Sequence, residues 1–336
     1  MTRPDDPMTR PRRDVLMAAP PPIPPISSRH EPRFRSGERK RVLAEAFQDQ
    51  GEDYDRLRPG YPGAVVDAIL AHLPGDAPNQ DAHPTSAPPA LAWLAHALPA
   101  QARPSPAPAR AIDLGAGTGK LACALAERGI QVTAVDTSEA MLKTLLARAS
   151  AATLDQQAPT LCTHRATAES TALPAASAHL VTAAQAWHWF DAPATTAEVA
   201  RLLAPGGVLA LVWNTMDVTI PWVHRLSRIM HAGDVQREDF LPTVGPELEL
   251  VDRVVHHWED PLPTHDLIDL ARTRSYVITA TEERRQKVLA NLDWYLHEHL
   301  GHAPGSVVDL PYRTDLFLYR LAEGRSSSPT PESLSE

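Results

Sequence analysis

The amino-acid sequence predicts an α/β protein with an open, mostly parallel sheet and helices on both faces. Segments typical of buried strands alternate with helical segments for about five units between Ala111 and Trp213. A glycine-rich turn follows the first of these strands and leads directly into a helix. Two more strand-like segments, separated by helical ones, follow nearer the C-terminus. Parallel strands with intervening helices are joined by right-handed crossovers.

The individual elements are predicted from apolar periodicity and from the residues that begin or end helices. The first strand is the short apolar run at residues 111–114, the next helix covers 120–128, and Gly129 suits the position just after that helix. The other predicted strands cover residues 131–136, 160–166, 179–184, 208–213, 253–259 and 310–321. The other predicted helices cover residues 63–73, 138–150, 193–203, 264–274 and 281–299.

The most informative segment joins the turn at residues 115–119 to Asp136. Glycines in such a turn adopt positive φ and let the backbone approach a ligand. Asp136 ends the second predicted strand, 21 positions after Gly115. Dinucleotide-binding folds place an acid at about this interval to accept hydrogen bonds from ribose hydroxyls. Asp136 can alternatively cap the following helix, but the combination predicts a site for a nucleoside cofactor.

The spacing of the turn separates three kinds of nucleotide-binding loop. A P-loop is excluded, because Leu114 stands in place of its first glycine and Leu121 in place of its magnesium-binding hydroxyl. A dehydrogenase fingerprint requires a third glycine where this chain has Lys120. The glycines of this chain instead follow the pattern G-x-G-x-G.

Together with Asp113, this turn resembles motif I of the class I S-adenosylmethionine-dependent methyltransferases. The string DTSEAML at residues 136–142 resembles the D-x-S-x-x-M-L string of the branch called methyltransferase type 11. The resemblance implies a Rossmann-like, seven-stranded, mostly parallel sheet with an antiparallel C-terminal strand. It also implies S-adenosyl-L-methionine as the cofactor.

The resemblance extends over residues 42–321, apart from a segment at 74–108. It rests on the strings YDRLRPGYP at 54–62, AE at 168–169 with LP at 173–174, QAWHWFD at 185–191, LAPGG at 203–207 and LPYRT at 310–314. The chain is similar to the group of trans-aconitate methyltransferase-like enzymes that act on small molecules.

The resemblance implies a set of cofactor-binding residues. Asp136 would bind the ribose diol and Met141 would pack against the adenine. Asp113 either contacts the amino-acid end of the cofactor or stabilises the turn from a buried position. Arg58 either pairs with the cofactor carboxylate or forms a surface salt bridge. The complete set is Tyr54, Arg58, Asp113, Gly115, Gly117, Asp136, Thr137, Met141, Glu169 and Gln185.

His188 is the candidate catalytic residue. It follows the fourth predicted strand, where ligands bind in open α/β sheets, and an imidazole can accept a proton near neutral pH. It can equally form a pocket wall or act only as a packed structural residue. The candidate acceptor pocket consists of aromatic residues that can equally belong to the core, namely Tyr61, Trp187, Trp189, Trp213 and Tyr276.

Composition divides the chain into a folded domain and two tails. Residues 1–41 are rich in proline and arginine, and residues 323–336 are polar, so both are predicted to be disordered. The domain covers residues 42–322 and contains the proline- and alanine-rich insertion at 74–108. The chain carries a net charge of −9, whereas its first 41 residues carry ten basic and five acidic side chains. An acidic body of this kind does not predict a nucleic-acid partner.

Other classes of protein are disfavoured by what the sequence lacks. No apolar run approaches the roughly 18 residues of a membrane span, and the N-terminus has no apolar signal region. The two cysteines have no metal-ligand spacing, so no metal is expected. We therefore expect a cytoplasmic protein without a membrane partner, and a monomer is favoured.

The sequence thus predicts an enzyme that moves the methyl group of S-adenosylmethionine to a small-molecule acceptor, either a carboxylate or another oxygen, nitrogen or carbon nucleophile. Two alternatives remain at this point. One is a nicotinamide-dependent oxidoreductase with a degenerate fingerprint, and the other is a non-catalytic cofactor-binding module.

Overall fold

The computed structural model describes residues 55–73, 108–152, 161–232 and 239–322. Several sequence predictions lie outside these described residues. They are the tail at 1–41, the start of the domain at Val42, the cofactor contact Tyr54, all but the last residue of the insertion at 74–108, and the tail at 323–336.

The described residues form one seven-stranded sheet with the strand order β3-β2-β1-β4-β5-β7-β6. Its strands are β1 Arg110–Leu114, β2 Gln131–Asp136, β3 Leu161–Arg165, β4 Ala178–Ala184, β5 Leu203–Met216, β6 Leu248–Pro263 and β7 Val307–Leu321. The first five are mutually parallel, and β7 lies antiparallel between β5 and β6. This arrangement confirms the predicted mostly parallel sheet with an antiparallel C-terminal strand.

The described helices surround this sheet. They are α1 Gly63–Leu70, α2 Lys120–Ala126, α3 Glu139–Ala152, α4 Ala192–Leu202, α5 Pro221–Met230, α6 Thr264–Asp269, α7 Ser275–Ile278 and α8 Glu282–Trp294. Short 3₁₀ segments cover Trp187–Trp189 and Leu270–Thr273, and one π-helical turn at Tyr295–His299 continues α8.

The central parallel strands β1, β4 and β5 are buried on both faces, as expected for a sheet covered by helices, whereas the edge strand β3 is partly exposed. In β5, Leu209, Leu211 and Trp213 belong to the core on one face, whereas Val208, Ala210 and Val212 belong to the core on the other. This division follows from the alternation of side chains along a strand. A third core, which includes Leu270, Val277 and Tyr312, lies among α5, α6 to α8 and the ends of β6 and β7.

Element boundaries differ from the sequence predictions where long strands pair. The fifth strand was expected at residues 208–213 but covers Leu203–Met216, because it pairs with β7 as far as Met216. Helix α5 was not predicted from the sequence. It begins with Pro221, which suits the first turn of a helix, and buries Val223 and Leu226.

Residues 264–306, between β6 and β7, form a helical excursion that begins and ends at one place in the sheet. Pro263 and Val307 are paired across the two strands. The amide of Thr264 donates to the Ser306 carbonyl at 3.0 Å, and the Thr264 hydroxyl accepts from the Gly305 amide at 2.8 Å. The excursion carries α6, α7 and α8 and is closed at its base by these contacts.

Candidate active site

A cavity lies at the carboxyl ends of the parallel strands, where ligands bind in open α/β sheets. Its lining includes Asp136 at the end of β2, Asp113 on β1, Gln185 after β4, Asn214 on β5 and Tyr312 on β7. These five strands are consecutive neighbours in the sheet. The cavity therefore extends from the glycine turn towards the antiparallel end of the sheet.

The glycines of the turn are required for different reasons. Gly115, at φ +66°, has no room for a Cβ atom, which would lie 2.7 Å from the Ala186 Cβ and 2.9 Å from the Phe190 ring. Gly117, at φ +55°, lines the cavity, and a Cβ atom there would meet nothing within 4 Å. The expected close backbone approach to a ligand therefore applies to Gly117, whereas Gly115 is needed for packing inside the protein.

Asp136 connects this turn to helix α3. Its Oδ2 accepts a hydrogen bond from the Gly117 amide at 2.9 Å, and its Oδ1 accepts from the Ser138 amide at 2.8 Å. Burial raises the pKa of Asp136, and the backbone hydrogen bonds oppose that rise. Each carboxylate oxygen has two acceptor positions, so the group can also accept hydrogen bonds from a ribose diol. Turn stabilisation and ribose binding are therefore compatible roles.

Asp113 is a buried acid beside the same turn. Its side chain is 1% exposed, and its Oδ1 accepts a hydrogen bond from the Thr182 hydroxyl at 2.6 Å. Burial raises the pKa of Asp113 to about 7, opposed by the Thr182 hydrogen bond and reinforced by the charge of Asp136. The carboxyl group thus changes its charge near neutral pH. A cation beside it favours the ionised form.

Residues 55–62, here called the strap, precede α1 and contribute Arg58, Pro59 and Tyr61 to the cavity lining. At the start of the strap, Asp55 forms a hydrogen-bonded ion pair with Arg148 on α3. The Lys120 Nζ lies 3.9 Å from the same carboxylate. Burial acts to raise the pKa of Asp55, but the hydrogen bonds from Arg148 and Thr118 outweigh it and lower the pKa. This end of the strap is therefore held by charge-assisted contacts.

The other end of the strap is held by a chain of hydrogen bonds from the sheet. The Trp258 Nε1–H donates to the Thr314 hydroxyl at 2.9 Å, and that hydroxyl donates to the Asn214 Oδ1 at 2.7 Å. The Asn214 Nδ2–H then donates to the Gly60 carbonyl at 2.8 Å. The chain links β6, β7 and β5 to the strap, so the strap is fixed to the antiparallel half of the sheet.

The structure places most of the sequence-predicted site residues around this one cavity. Those in its lining are Arg58, Tyr61, Asp113, Gly115, Gly117, Asp136, Thr137, Met141, Gln185 and Trp189. They come from the strap, the glycine turn, the start of α3 and the segment after β4.

Three of the predicted pocket aromatics lie elsewhere. Trp213 packs edge-on against Phe240 and Phe317 in the core, because it points to the face of β5 opposite the one used by its neighbours in sequence. Trp187 is buried, and its Nε1–H donates to the Thr243 carbonyl at 2.9 Å. Tyr276 is partly exposed and stacks on a histidine ring outside the cavity lining.

His188 and Glu169 are also outside the cavity lining. His188 lies in the 3₁₀ turn after β4, with its ring 5.2 Å from that of Trp189, and it is Trp189 that faces the cavity. Glu169 accepts a hydrogen bond from the Asp191 amide at 3.0 Å. In the segment where Glu169 was expected to line the adenine, Ala166 and Ala168 line the cavity instead.

Several lining residues had no assigned role from the sequence. Arg274 follows the segment LART at 270–273, in which Leu270 and Ala271 are fully buried. The sequence does not distinguish Arg274 from Arg272, because both lie in the mixed segment LARTRS at 270–275. Other residues of this kind include Thr118, Lys120, Ala184, Phe190, Asn214 and Tyr312.

The glycine turn, the acid at the end of β2 and the position of the cavity define a protein that binds an adenosine-containing cofactor on an open α/β sheet. A family model described as a methyltransferase domain matches residues 112–211. An uncharacterized methyltransferase of Mycobacterium tuberculosis is 40% identical over 276 residues, which cover 82% of this chain and 95% of the relative. The chain belongs to the type 11 methyltransferase domain family.

Two further comparisons concern a second relative and a solved structure. An uncharacterized methyltransferase-like protein of Schizosaccharomyces pombe is 30% identical over 189 residues, covering 54% of this chain and 70% of that protein. A solved structure from Anaeromyxobacter dehalogenans, provisionally described as a type II methyltransferase, is 24% identical with a TM-score of 0.52 and covers 78% of this chain and 97% of that chain. This likeness shows the fold.

The protein is thus an S-adenosylmethionine-dependent methyltransferase. The residues of the cavity fit this cofactor, because Gly117 leaves open space, Asp136 can accept from a ribose, and a buried acid, Asp113, lines the cavity beside the glycine turn. The described helices include none with the length and apolar character needed to cross a membrane. Within the described ranges, no three metal-binding side chains form a group.

Proposed function

We propose that the enzyme methylates a nucleophilic atom of a small-molecule acceptor by in-line displacement. The observation that carries this proposal is the continuous cavity from Asp136 to Tyr312, with the strap contributing to its lining. Such a cavity provides a donor end and an acceptor end on one sheet, under one covering segment. A concave site of this kind suits a small molecule better than an extended polymer.

S-adenosylmethionine supplies an activated methyl group, because an acceptor lone pair forms the new carbon bond while the carbon–sulfur bond breaks and its electron pair remains on sulfur. Asp136 and Met141 line the cavity, where Asp136 would hold the ribose and Met141 would pack beside the adenine. Asp113 would accept from the ammonium of the amino-acid end, and Arg58 would pair with its carboxylate. These residues fix the donor, and Tyr61 and Trp189 fix the direction of approach for the acceptor.

A general base is not required by this chemistry when the acceptor atom already carries a lone pair and no proton. His188 lies outside the cavity lining, so its proposed role is to support Trp189. Positioning of the two reactants then supplies most of the rate enhancement.

Cofactor binding by an Asp136→Ala variant tests the site. We expect the affinity for S-adenosylhomocysteine, measured by calorimetry, to fall at least about tenfold, since hydrogen bonds to a charged acceptor contribute about 1.5–3 kcal/mol each. Asp191→Ala is a matched control, because Asp191 also accepts from a backbone amide, that of Ala194 at 3.0 Å, but lies outside the cavity lining. Unchanged affinity in the Asp136 variant contradicts the assignment.

Methyl transfer itself is tested by incubating the protein and deuteriomethyl S-adenosylmethionine with a metabolite extract. A small molecule that gains the labelled methyl group, detected by mass spectrometry, supports the proposal. Absence of any labelled product would instead favour a non-catalytic module. A response of NADH fluorescence to the protein would favour the oxidoreductase alternative. The trans-aconitate-like subgroup, the cytoplasmic location, the monomeric state and the absence of a nucleic-acid partner stay predictions.

A further inference from the structure

Gln185 has a backbone conformation that is uncommon for a residue with a side chain. It follows β4 at the carboxyl edge of the sheet and has φ +55°, in the left-handed region. Contact between the Cβ atom and the backbone disfavours this region for residues other than glycine. Gln185 is half-buried and belongs to the cavity lining. Strained residues of this kind persist where the surrounding structure enforces them, and they cluster at active sites.

The side chain of Gln185 is directed towards β5 by a hydrogen bond. The pairing of β4 with β5 ends at Ala184 and Val212, and the Gln185 amide still donates to the Val212 carbonyl at 2.8 Å. The Gln185 Nε2–H then donates to the Asn214 carbonyl at 2.5 Å, two positions further along β5. The backbone therefore leaves the ladder after residue 185, and the side-chain amide takes the place of the next backbone donor.

This hydrogen bond identifies the free acceptor atom of the Gln185 side chain. A backbone carbonyl can only accept, so the atom bonded to it is the NH₂ group and the other atom of the planar amide is Oε1. Within the described part of the chain, the Gln185 side chain forms no other hydrogen bond, and Oε1 is not one of the buried polar atoms without a partner. Oε1 therefore keeps an accessible surface, and a ligand in the cavity that Gln185 lines can reach it.

The Gln185 amide lies between the donor end of the cavity and the strands beyond it. Asp136 and Asp113, the residues assigned to the ribose and the ammonium group, lie on β2 and β1, and the strand order is β2-β1-β4-β5-β7. The amide is bonded to β5, which is on the other side of β4 from these acids. The segment after β4 is also close to the glycine turn, since a Cβ atom at Gly115 would lie 2.7 Å from the Ala186 Cβ. Gln185 is thus beside the donor turn, with its side chain on the side left for the acceptor.

An amide oxygen discriminates between acceptors by the hydrogen bonds that it can form. It accepts hydrogen bonds and does not donate them. A nucleophilic group that carries a proton, N–H or O–H, can donate to Oε1 while its lone pair points to the methyl carbon. A carboxylate has acceptor atoms only, so its oxygen beside Oε1 leaves both atoms without a donor in a site withdrawn from water. Sites that hydrogen-bond a substrate O–H or N–H reject analogues without that group strongly.

We propose that Gln185 Oε1 accepts a hydrogen bond from the nucleophilic N–H or O–H group of the methyl acceptor, and thereby selects amines and hydroxyl compounds over carboxylates. This proposal rests on the proposed function, and it assigns Gln185 to the acceptor, whereas the family resemblance implied a cofactor contact. In the transfer, the lone pair of the nitrogen or oxygen forms the bond to the methyl carbon, and the electron pair of the carbon–sulfur bond remains on sulfur. The proton of the methylated group leaves for water. Gln185 orients the nucleophile and takes up no proton.

The test uses the full-length protein in wild-type form and as the variants Gln185→Met, Gln185→Gly and Gln131→Met. Gln185→Met removes the amide and keeps the length of the side chain. Gln185→Gly removes the side chain and accommodates the positive φ without steric cost. Gln131→Met is a matched control, because Gln131 is exposed at the start of β2 and lies outside the cavity lining.

Each protein is incubated with a metabolite extract and deuteriomethyl S-adenosylmethionine, and the initial rate of label incorporation is measured at low extract concentration. The labelled products are treated with mild hydroxide, which hydrolyses methyl esters and removes their label. Fragmentation in the mass spectrometer then locates the methyl group of the surviving products on nitrogen, oxygen, carbon or sulfur. The binding of S-adenosylhomocysteine is measured separately by calorimetry, and it also shows that the cofactor site of each variant is folded.

We expect labelled products that survive hydroxide and carry the methyl group on nitrogen or oxygen, and the fragmentation distinguishes an amine from a hydroxyl acceptor. Gln185→Met and Gln185→Gly are each expected to reduce the rate about 5- to 100-fold, the loss typical of a polar group left without its hydrogen bond. Gln131→Met retains the wild-type rate. All variants bind S-adenosylhomocysteine within about threefold of wild type, because Gln185 acts on the acceptor.

Three results would overturn the proposal. The first is labelled product with the methyl group on a carboxylate, carbon or sulfur alone, or no labelled product while S-adenosylhomocysteine still binds. The second is a rate in both Gln185 variants as high as that of Gln131→Met. The third is a loss of S-adenosylhomocysteine affinity in the Gln185 variants as large as their loss of rate, which assigns Gln185 to the cofactor. Failure of the wild-type protein to bind S-adenosylhomocysteine is a different outcome, because it contradicts the proposed function.

Discussion

Cofactor affinity should depend on pH through the buried carboxyl group of Asp113. Burial raises the pKa of this group to about 7 in the protein without ligand. The ammonium group of the cofactor favours the ionised form, so binding below about pH 7 must release a proton. Affinity therefore increases with pH and levels off above about pH 7. The ionised fraction rises from about 0.03 near pH 5.5 to about 0.5 near pH 7, which predicts an increase of about 16-fold.

Asp113→Asn removes the titration and keeps an acceptor oxygen for the Thr182 hydroxyl. Calorimetric titration of both proteins with S-adenosylhomocysteine across this pH range measures the difference. We expect the variant to bind more weakly near pH 7 and to show little pH dependence below it. Equal slopes in the two proteins, or no slope in the wild type, would refute the assignment of Asp113 to the ammonium group.

The same carboxyl group has a second measurable effect in the absence of ligand. In the folded protein the Asp113 carboxyl group keeps its proton up to about pH 7, whereas in the unfolded chain it releases the proton near the ordinary aspartate pKa of 3.8. Between these values the folded state binds more protons, so the free energy of unfolding falls as pH rises. Urea titrations should show a smaller fall in Asp113→Asn, and an identical fall in both proteins would show that Asp113 does not control it.

Two further predictions concern stability. Gly119→Ala should lower the free energy of unfolding by about 2–4 kcal/mol, because Gly119 has φ +80° and a Cβ atom would lie 2.4 Å from the Leu145 Cγ. Gly129→Ala is the control, since Gly129 has φ +82° with open space around it, and this variant should lose only about 1 kcal/mol. Equal losses of the two variants in urea titrations would contradict the packing argument. Thr314→Val should cost about 1–3 kcal/mol in the same assay, since it leaves the buried Asn214 Oδ1 and the partly buried Trp258 Nε1–H without the hydroxyl. Thr215→Val removes only one long hydrogen bond of 3.4 Å, so a loss as large as that of the Thr314 variant would count against the importance of the chain.

The donor half of the molecule could be predicted from the sequence because its signals are local. The turn at 115–119 and Asp136 are 21 positions or fewer apart. The structure joins them by the hydrogen bond from the Gly117 amide to the Asp136 carboxylate. The sequence did not show why each glycine of the turn is needed. A side chain at position 115 would clash with Ala186 and Phe190, which are about seventy residues further along the chain.

The acceptor half was harder to predict, because contacts distant in sequence decide which residues face the cavity. Trp213 and Asn214 are neighbours on β5, yet Trp213 packs in the core and Asn214 lines the cavity. Because side chains alternate between the two faces of a strand, a shift of one position moves a residue from the core to the cavity or the reverse. Tyr276 and Arg274 show the same difficulty, since their short helical segments have no long periodicity from which to infer a face.

The closed base of the excursion at residues 264–306 has a consequence for how this enzyme can diversify. Its two ends are paired neighbours on β6 and β7, so any replacement segment has to span only the separation of two adjacent strands, about 5 Å. The entropic cost of a longer segment grows slowly with its length. The closed base therefore sets no limit on the length of a replacement segment. A replacement still has to fill the third core beside α5 and β7 and to offer a carbonyl to Arg58, as Thr273 does at 2.8 Å. Acceptor choice can thus diversify in this segment only together with the contacts that hold the strap.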